Sequence, residues 1–181
     1  MLTHPLATIP VDKRSRVFVP WLIATLLMTF LFRFIGPAKP SIVDYELAGS
    51  VSKATEIINA WNENDRIRAG FSLGVDYLYM PVYSTTIALA CVWGAGVLKN
   101  KSWRTIGMLL AWGLWAAAIF DAIENLGLVV SLFGSPVDPW PLVSQVCATL
   151  KFALIIVGLV YIVVGAILRV VSQPNPHPAS P

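Results

Sequence analysis

Four long apolar stretches dominate the sequence, at residues 17–35, 77–98, 105–133 and 142–168. Each is close to or above the roughly 20 residues that an α-helix needs to cross a membrane. Charged residues make up only 13% of the 181 residues, about half of the roughly 25% that is usual in soluble domains. This pattern excludes a soluble globule, a coiled coil, a disulfide scaffold and a disordered chain. It predicts an all-α protein, a four-transmembrane-helix bundle.

The basic residues indicate how such a bundle would be oriented in the membrane. Lysine and arginine are concentrated in segment 1–16, in the loop 99–104 and at the start of the tail 169–181. Short loops rich in these residues stay on the cytoplasmic side of a membrane. We therefore expect both termini inside the cell, with segments 36–76 and 134–141 outside. The predicted location is the inner (plasma) membrane, multi-pass, and the proline-rich tail is expected to be disordered.

A cleaved signal peptide is the alternative for the first stretch. Gly36-Pro37-Ala38 resembles a small-residue cleavage site. Against this, the apolar run is bulky, Arg33 precedes the site, and removal would leave three helices. A retained first span is the favoured interpretation.

The segment between the first two spans contains an amphipathic helix, predicted at residues 51–61. Its apolar positions recur at helical spacing, and they are Val51, Ala54, Ile57, Ile58 and Trp61. One interpretation is a helix in the outer interface with Trp61 at headgroup level. The other is a lid over a site that opens outward. Amphipathicity alone favours the first, and a polar break is expected after it at residues 62–66.

Ionisable residues inside the apolar stretches are the main functional signal. At 1.5 Å per residue, Glu124 and Lys151 lie about 13 Å from the outer ends of their helices and Asp121 about 18 Å. Asp76 lies at the outer entrance of the second span, and Arg33 at the outer end of the first. Buried charges are costly in a membrane and are functional by default.

The helical faces agree with the depths. Asp121, Glu124 and Asn125 share one stripe because they are spaced i, i+3 and i+4. Lys151 and Glu124 are level and opposite in sign, so they are expected to pair, while Arg33 could reach Asp76 or Asp121. The predicted ligand-binding residues are Arg33, Asp76, Tyr79, Tyr83, Asp121, Glu124, Asn125 and Lys151. The alternative is a salt-bridge network that sets helix register.

Several chemistries have no support in the sequence. The histidines, His4 and His177, are both terminal, so no histidine metal site is expected in the membrane. Three carboxylates suit a hard cation such as magnesium, but Lys151 and Arg33 would compete for them, so no metal and no cofactor are predicted. Nucleic-acid binding is not expected. Cys91 and Cys147 differ in depth by more than a disulfide spans, which predicts two free thiols.

Three short motifs carry a resemblance. They are Tyr45-Glu46-Leu47-Ala48, Asp76-Tyr77-Leu78-Tyr79 with Tyr83, and Asp121-x-x-Glu124-Asn125. Together they resemble a group of uncharacterised small four-span bacterial membrane proteins with an Asp-x-x-Glu-Asn motif. The resemblance implies that the acidic positions and the outer segment are the parts to test, and it implies no reaction.

Three functions remain open from sequence. The first is binding of a membrane lipid or small molecule in a polar cavity of the outer half, with Asp121 or Glu124 as the candidate catalytic acid or base if the protein is an enzyme. The second is a structural or accessory subunit of a larger membrane complex. The third is a transporter or channel, which would require a homo-oligomer because four helices leave little room for a pathway.

Overall fold

The structure, a computed structural model, describes residues 3–96 and 100–171. Within these ranges the chain is helical and contains no strand. Two 3-10 turns precede the α-helices, which are α1 (Arg14–Ile35), α2 (Ile42–Glu46), α3 (Val51–Ala60), α4 (Glu63–Gly94), α5 (Lys101–Phe133) and α6 (Trp140–Val171).

Three helical stretches are long and apolar enough to cross a membrane: Val11–Ile35, Lys101–Phe133 and Trp140–Val171. Over an 18-residue window within each stretch, the mean hydropathy is 1.9, 1.8 and 2.8, respectively. Helix α4 is as long as α6, at 32 residues. It is less apolar because charged residues fill its first two turns and tyrosine, serine and threonine occupy its middle.

The long helices pack around α4 and α5. Helix α5 packs closely against both α4 and α6, α6 also touches α4, and α1 packs mainly against α4. No residue of α1 is buried. Both cysteines lie buried and unbonded to each other, which confirms the prediction of two free thiols.

The short helices α2 and α3 form a small layer that covers one end of α4 and α5. Ser41 and Asp44 form a capping box at the start of α2, and the Ser50 hydroxyl accepts the Lys53 N–H at the start of α3. Between the two helices, Gly49 has a φ of 68°, a left-handed conformation that glycine adopts without steric cost.

Helix α3 is amphipathic as predicted, but Trp61 does not lie at a surface. Its side chain is 2% exposed and packs edge-on against Tyr45, with ring centroids 5.2 Å apart. The Trp61 Nε1–H donates to the Pro40 carbonyl at 2.7 Å. The apolar face of α3, with Ala54, Ile57 and Ile58, is buried in the same cluster. The interpretation of Trp61 as a headgroup anchor is therefore wrong, and α3 is a packed part of the fold.

The predicted polar break at 62–66 is the start of a long helix. The Asn62 side chain accepts the Asp65 N–H and caps α4, which then continues through Asp76 to Gly94. Asp76 thus lies inside a helix and not at its entrance. The predicted tail 169–181 is helical to Val171, and its remainder lies outside the described residues, as do 97–99.

The N-terminal segment is also packed. His4 is 1% exposed and lies edge-on between Trp112 and Trp115, with ring centroids 4.7 and 4.5 Å away. The Trp112 Nε1–H donates to the Thr3 carbonyl at 3.2 Å. These contacts fix the chain before α1 to the side of α5.

Candidate functional site

Lys151 on α6 is the centre of a buried charged cluster. Its Nζ donates to Asp121 Oδ1 at 2.9 Å and to Glu124 Oε1 at 3.0 Å, and lies 2.8 Å from Glu124 Oε2. The predicted ion pair between Lys151 and Glu124 is therefore present. The side chains of all three residues are at most 6% exposed. The cluster is thus shielded from solvent. A buried ion pair must be well hydrogen-bonded to be stable.

Helices α5 and α6 approach closely beside this cluster. The Ser144 Oγ–H donates to the Glu124 carbonyl at 3.1 Å, and a Cβ at Gly127 would lie only 2.5 Å from Ser144 Oγ. Glycine at this crossing lets the two backbones approach. The close approach brings Lys151 within reach of acids one turn apart on α5.

Glu46 is a third acid of the cluster, and the sequence reasoning did not identify it as a site residue. It ends the short helix α2, is 8% exposed, and its Oε2 lies 3.7 Å from Lys151 Nζ. Among the described residues this oxygen has no hydrogen-bond partner. Burial raises the pKa of Glu46, Asp121 raises it further, and Lys151 opposes the shift.

Asp76 and two tyrosines complete the polar surface on α4. The Asn125 Nδ2–H donates to Asp76 Oδ2 at 2.8 Å, and the Tyr83 hydroxyl donates to Asp121 Oδ2 at 2.8 Å. The Tyr79 hydroxyl lies 2.7 Å from Thr29 Oγ1 on α1. The rings of Tyr79 and Tyr83 lie beside each other, with centroids 5.1 Å apart.

A cavity of about 650 Å³ adjoins this cluster, between α1, α2, α4 and α6. Its polar end includes Glu46, Asp76, Tyr79, Tyr83 and Lys151. Away from that end the walls become mostly apolar, formed by Phe18, Leu22, Leu26, Ile87, Ala90, Ile155, Leu159 and Ile162. Its volume falls within the range of about 300–1,000 Å³ that is usual for small-molecule sites.

The predicted site residues separate into three groups. Five line the cavity: Asp76, Tyr79, Tyr83, Asp121 and Lys151. Glu124 and Asn125 contact those residues from behind without lining it. Arg33 does not join the cluster, since it is exposed and makes no ion pair among the described residues. Its depth along the helix is suitable for an ion pair with the acids, but its side chain lies on the exposed side of α1.

Glu46 could have been found from one local signal. It lies in the sequence Tyr45-Glu46-Leu47-Ala48, whose other residues are apolar. Glutamate is almost never fully buried unless it is paired. Tyr45 and Ala48 are buried with it, so an acid within such an apolar sequence indicates a buried partner.

The carboxylates differ in what they can do chemically. Both oxygens of Asp121 accept hydrogen bonds, from Lys151 and Tyr83, so neither oxygen is left without a donor. Glu46 and Asp76 face the cavity with fewer partners. In the described ranges, no group of three or more histidine, cysteine, aspartate or glutamate side chains has an arrangement that could hold a metal ion.

Compared with known proteins, the chain matches no protein-family model, no curated protein and no solved structure.

Proposed function

We propose that this chain is a four-span integral membrane protein that binds an amphipathic, lipid-like molecule in the cavity between α1, α4 and α6. Helix α4, the second of the long helices in chain order, crosses the membrane together with α1, α5 and α6. Both termini are cytoplasmic, and α2 and α3 lie on the outer side of the inner membrane. The polar end of the cavity then lies in the outer half of the bilayer and its apolar end points inward.

One observation carries the proposal, namely the gradient of polarity along the cavity. On α4 the lining runs from Asp76 through Tyr83 to Ala90, and on α6 it runs from Lys151 through Ile155 to Ile162. On both helices these polar residues precede these apolar ones. A molecule with a polar head and an apolar tail matches this order along α4 and α6.

Binding fits the geometry better than acid–base catalysis. A general acid or base must have an oxygen within hydrogen-bond reach of the substrate proton that it moves. Both oxygens of Asp121 already accept hydrogen bonds, from Lys151 and Tyr83, and Glu124 contacts Lys151 without lining the cavity. Neither sequence candidate for proton transfer is thus well placed for it.

The test is to fill the cavity and measure ligand stabilisation. Ala90 lines the apolar half, and we expect Ala90→Trp to occupy that space. Ala153→Trp is the matched control, because Ala153 is exposed on α6 and does not line the cavity. The protein is purified in a neutral maltoside, and its unfolding temperature is recorded with added single-chain amphiphiles of twelve carbons.

A ligand that binds only the folded state raises the unfolding temperature. We expect this rise in the wild type and in Ala153→Trp, and its loss in Ala90→Trp. Equal responses in all three proteins would show that the amphiphile acts on the micelle or the lipid-facing surface, and the proposal would fail.

A further inference from the structure

The charges at the polar end of the cavity do not balance. Four acids, Glu46, Asp76, Asp121 and Glu124, lie at this end with one ammonium group, that of Lys151, which is within 4 Å of all but Asp76. The other base expected there, Arg33, is exposed and outside the cluster. A carboxylate removed from water either takes up a proton or needs a partner of opposite sign. At a pH where these acids are ionised, the site therefore lacks positive charge.

The missing charge belongs at the cavity surface. Lys151 directs its hydrogen bonds to Asp121 and Glu124, and it lies farther from Glu46, at 3.7 Å. The Glu46 Oε2 atom, which faces that ammonium, is buried and has no hydrogen bond to any residue that the structure describes. Asp76 receives a neutral donor, the Asn125 amide. Glu46 and Asp76 both line the cavity, so a bound group could reach both carboxylates.

Aromatic rings lie at the same end. Phe32 and Tyr79 have centroids 5.3 Å apart, Tyr79 and Tyr83 are 5.1 Å apart, and all three line the cavity. The faces of aromatic rings attract organic cations, and quaternary ammonium groups are commonly bound between such rings. Carboxylates together with aromatic faces favour an organic ammonium head over a small hydrated metal ion.

The dimensions of the cavity indicate one tail. From Ser72 to Ala90 the lining extends about 27 Å along α4 at 1.5 Å per residue. A volume of about 650 Å³ over that length leaves a mean cross-section of about 24 Å². That breadth holds one alkyl chain and is narrow for two side by side.

We infer that the ligand is a single-chain cationic amphiphile, whose ammonium head lies between Glu46 and Asp76 and whose tail extends along the apolar walls toward Ile162. This inference rests on the proposed binding function and adds the sign of the head and the number of tails. The carboxylates of Glu46 and Asp76 are the selective groups, and Lys151 holds the other two acids in place.

The experiment compares three probes with the same twelve-carbon chain: dodecyltrimethylammonium, dodecanol and dodecanoate. Binding to the full chain in neutral maltoside is measured from the dependence of the unfolding temperature on probe concentration. We expect dodecyltrimethylammonium to bind the wild type at least tenfold more tightly than either other probe. The ratio of its affinity to the affinities of the other two probes should fall about tenfold in Glu46→Gln and in Asp76→Asn.

Glu56→Gln is the matched control, because it removes one negative charge from the exposed face of α3, outside the cavity. This variant should prefer dodecyltrimethylammonium over the other two probes as strongly as the wild type does. Each variant is compared with its own probe-free unfolding temperature, so that a loss of stability is not counted as a loss of binding.

The outcomes separate the two proposals. If all three probes stabilise the wild type equally, or dodecanoate binds best, the cationic head is ruled out while the binding function stands. An unchanged preference in both Glu46→Gln and Asp76→Asn would likewise overturn the assignment of the head. If no probe stabilises the wild type, the binding function itself fails, and the inference fails with it.

Discussion

The Oε2 atom of Glu46, at the end of a five-residue helix, lies 3.7 Å from the Nζ atom of Lys151 in the middle of α6. This contact attaches the short connecting layer to the buried part of the long helices. Gln145 adds a second attachment, since its Nε2–H donates to the Leu47 carbonyl at 3.1 Å. The chain between α1 and α4 is therefore part of the site and not a loose connection.

Lys151→Met should strongly destabilise the protein. The change leaves Asp121 and Glu124 buried without their shared cation, and breaking such an interaction typically costs about 3–5 kcal/mol. Thermal unfolding in detergent measures the loss. Arg169→Met, at the exposed end of the same helix, is the control and should unfold near the wild-type temperature. Wild-type stability in Lys151→Met would contradict the assigned ion pairs.

Tyr83→Phe should lower the free energy of unfolding by about 1–3 kcal/mol. It removes the hydroxyl that donates to Asp121 Oδ2 at 2.8 Å and leaves a buried acceptor without that donor. Chemical or thermal denaturation gives the difference. Tyr77→Phe is the comparison, because Tyr77 is 42% exposed and its hydroxyl donates at a longer 3.3 Å to the Ala122 carbonyl. Equal losses in the two variants would count against a buried bond at Tyr83.

Gly107→Ala and Gly74→Ala should have opposite effects on stability. A Cβ at Gly107 would collide with the Tyr161 hydroxyl and lie 2.9 Å from the Ala95 Cβ, and overpacking of this kind costs about 1–3 kcal/mol. A Cβ at Gly74 would meet nothing within 4 Å. Alanine is better than glycine in a helix by about 0.5–1 kcal/mol. Unfolding temperatures that shift in the same direction would contradict the packing described here.

Binding of dodecyltrimethylammonium should strengthen as the pH rises. Burial raises the pKa of Glu46 above its ordinary value of 4.5, so a proton still occupies this carboxyl at pH values where an exposed glutamate is ionised. The probe carries a fixed charge and competes with that proton. Its affinity should therefore increase from about pH 4.5 upward, by at most about tenfold per pH unit for each proton displaced.

Other groups around Glu46 titrate or carry charge, namely Lys151 on α6, Asp121 and Glu124 on α5, and Asp76 on α4. Glu46→Gln isolates the contribution of Glu46 and should flatten the pH profile of binding. A profile that is equally steep in Glu46→Gln would assign the competing proton to another acid.

Cysteine labelling tests the topology. With Cys91 and Cys147 replaced by alanine, a membrane-impermeant maleimide added to intact cells should label Ser135→Cys but not Ser102→Cys. Both positions are exposed, one after α5 and the other in its first turn. Labelling of both from outside, or of neither, would contradict the proposed passage of α5 across the membrane.

The sequence predicted the ion pair of Lys151 and Glu124 because depth along a helix follows directly from residue number. It also predicted the shared stripe of Asp121, Glu124 and Asn125 from helical periodicity. Arg33 had a suitable depth, but depth does not specify which way a helix is rotated, and the structure places this side chain on the exposed side of α1.

Glu46 and Trp61 could not be placed by the same reasoning. Their positions depend on how the segment between α1 and α4 folds back, through the left-handed turn at Gly49 and the contacts of Tyr45. Such contacts join residues that are distant in the sequence, as in the hydrogen bond from the Tyr45 hydroxyl to the Leu128 carbonyl at 3.0 Å. The periodicity of the local sequence does not indicate such contacts.

Helix α1 has no buried residue, and it faces α6 across the cavity with its main packing on α4. An alkyl tail in that gap would supply the apolar contacts that side chains supply between the other helices. The ligand would then act as a replaceable piece of the hydrophobic core, and the position of α1 would report whether the site is filled.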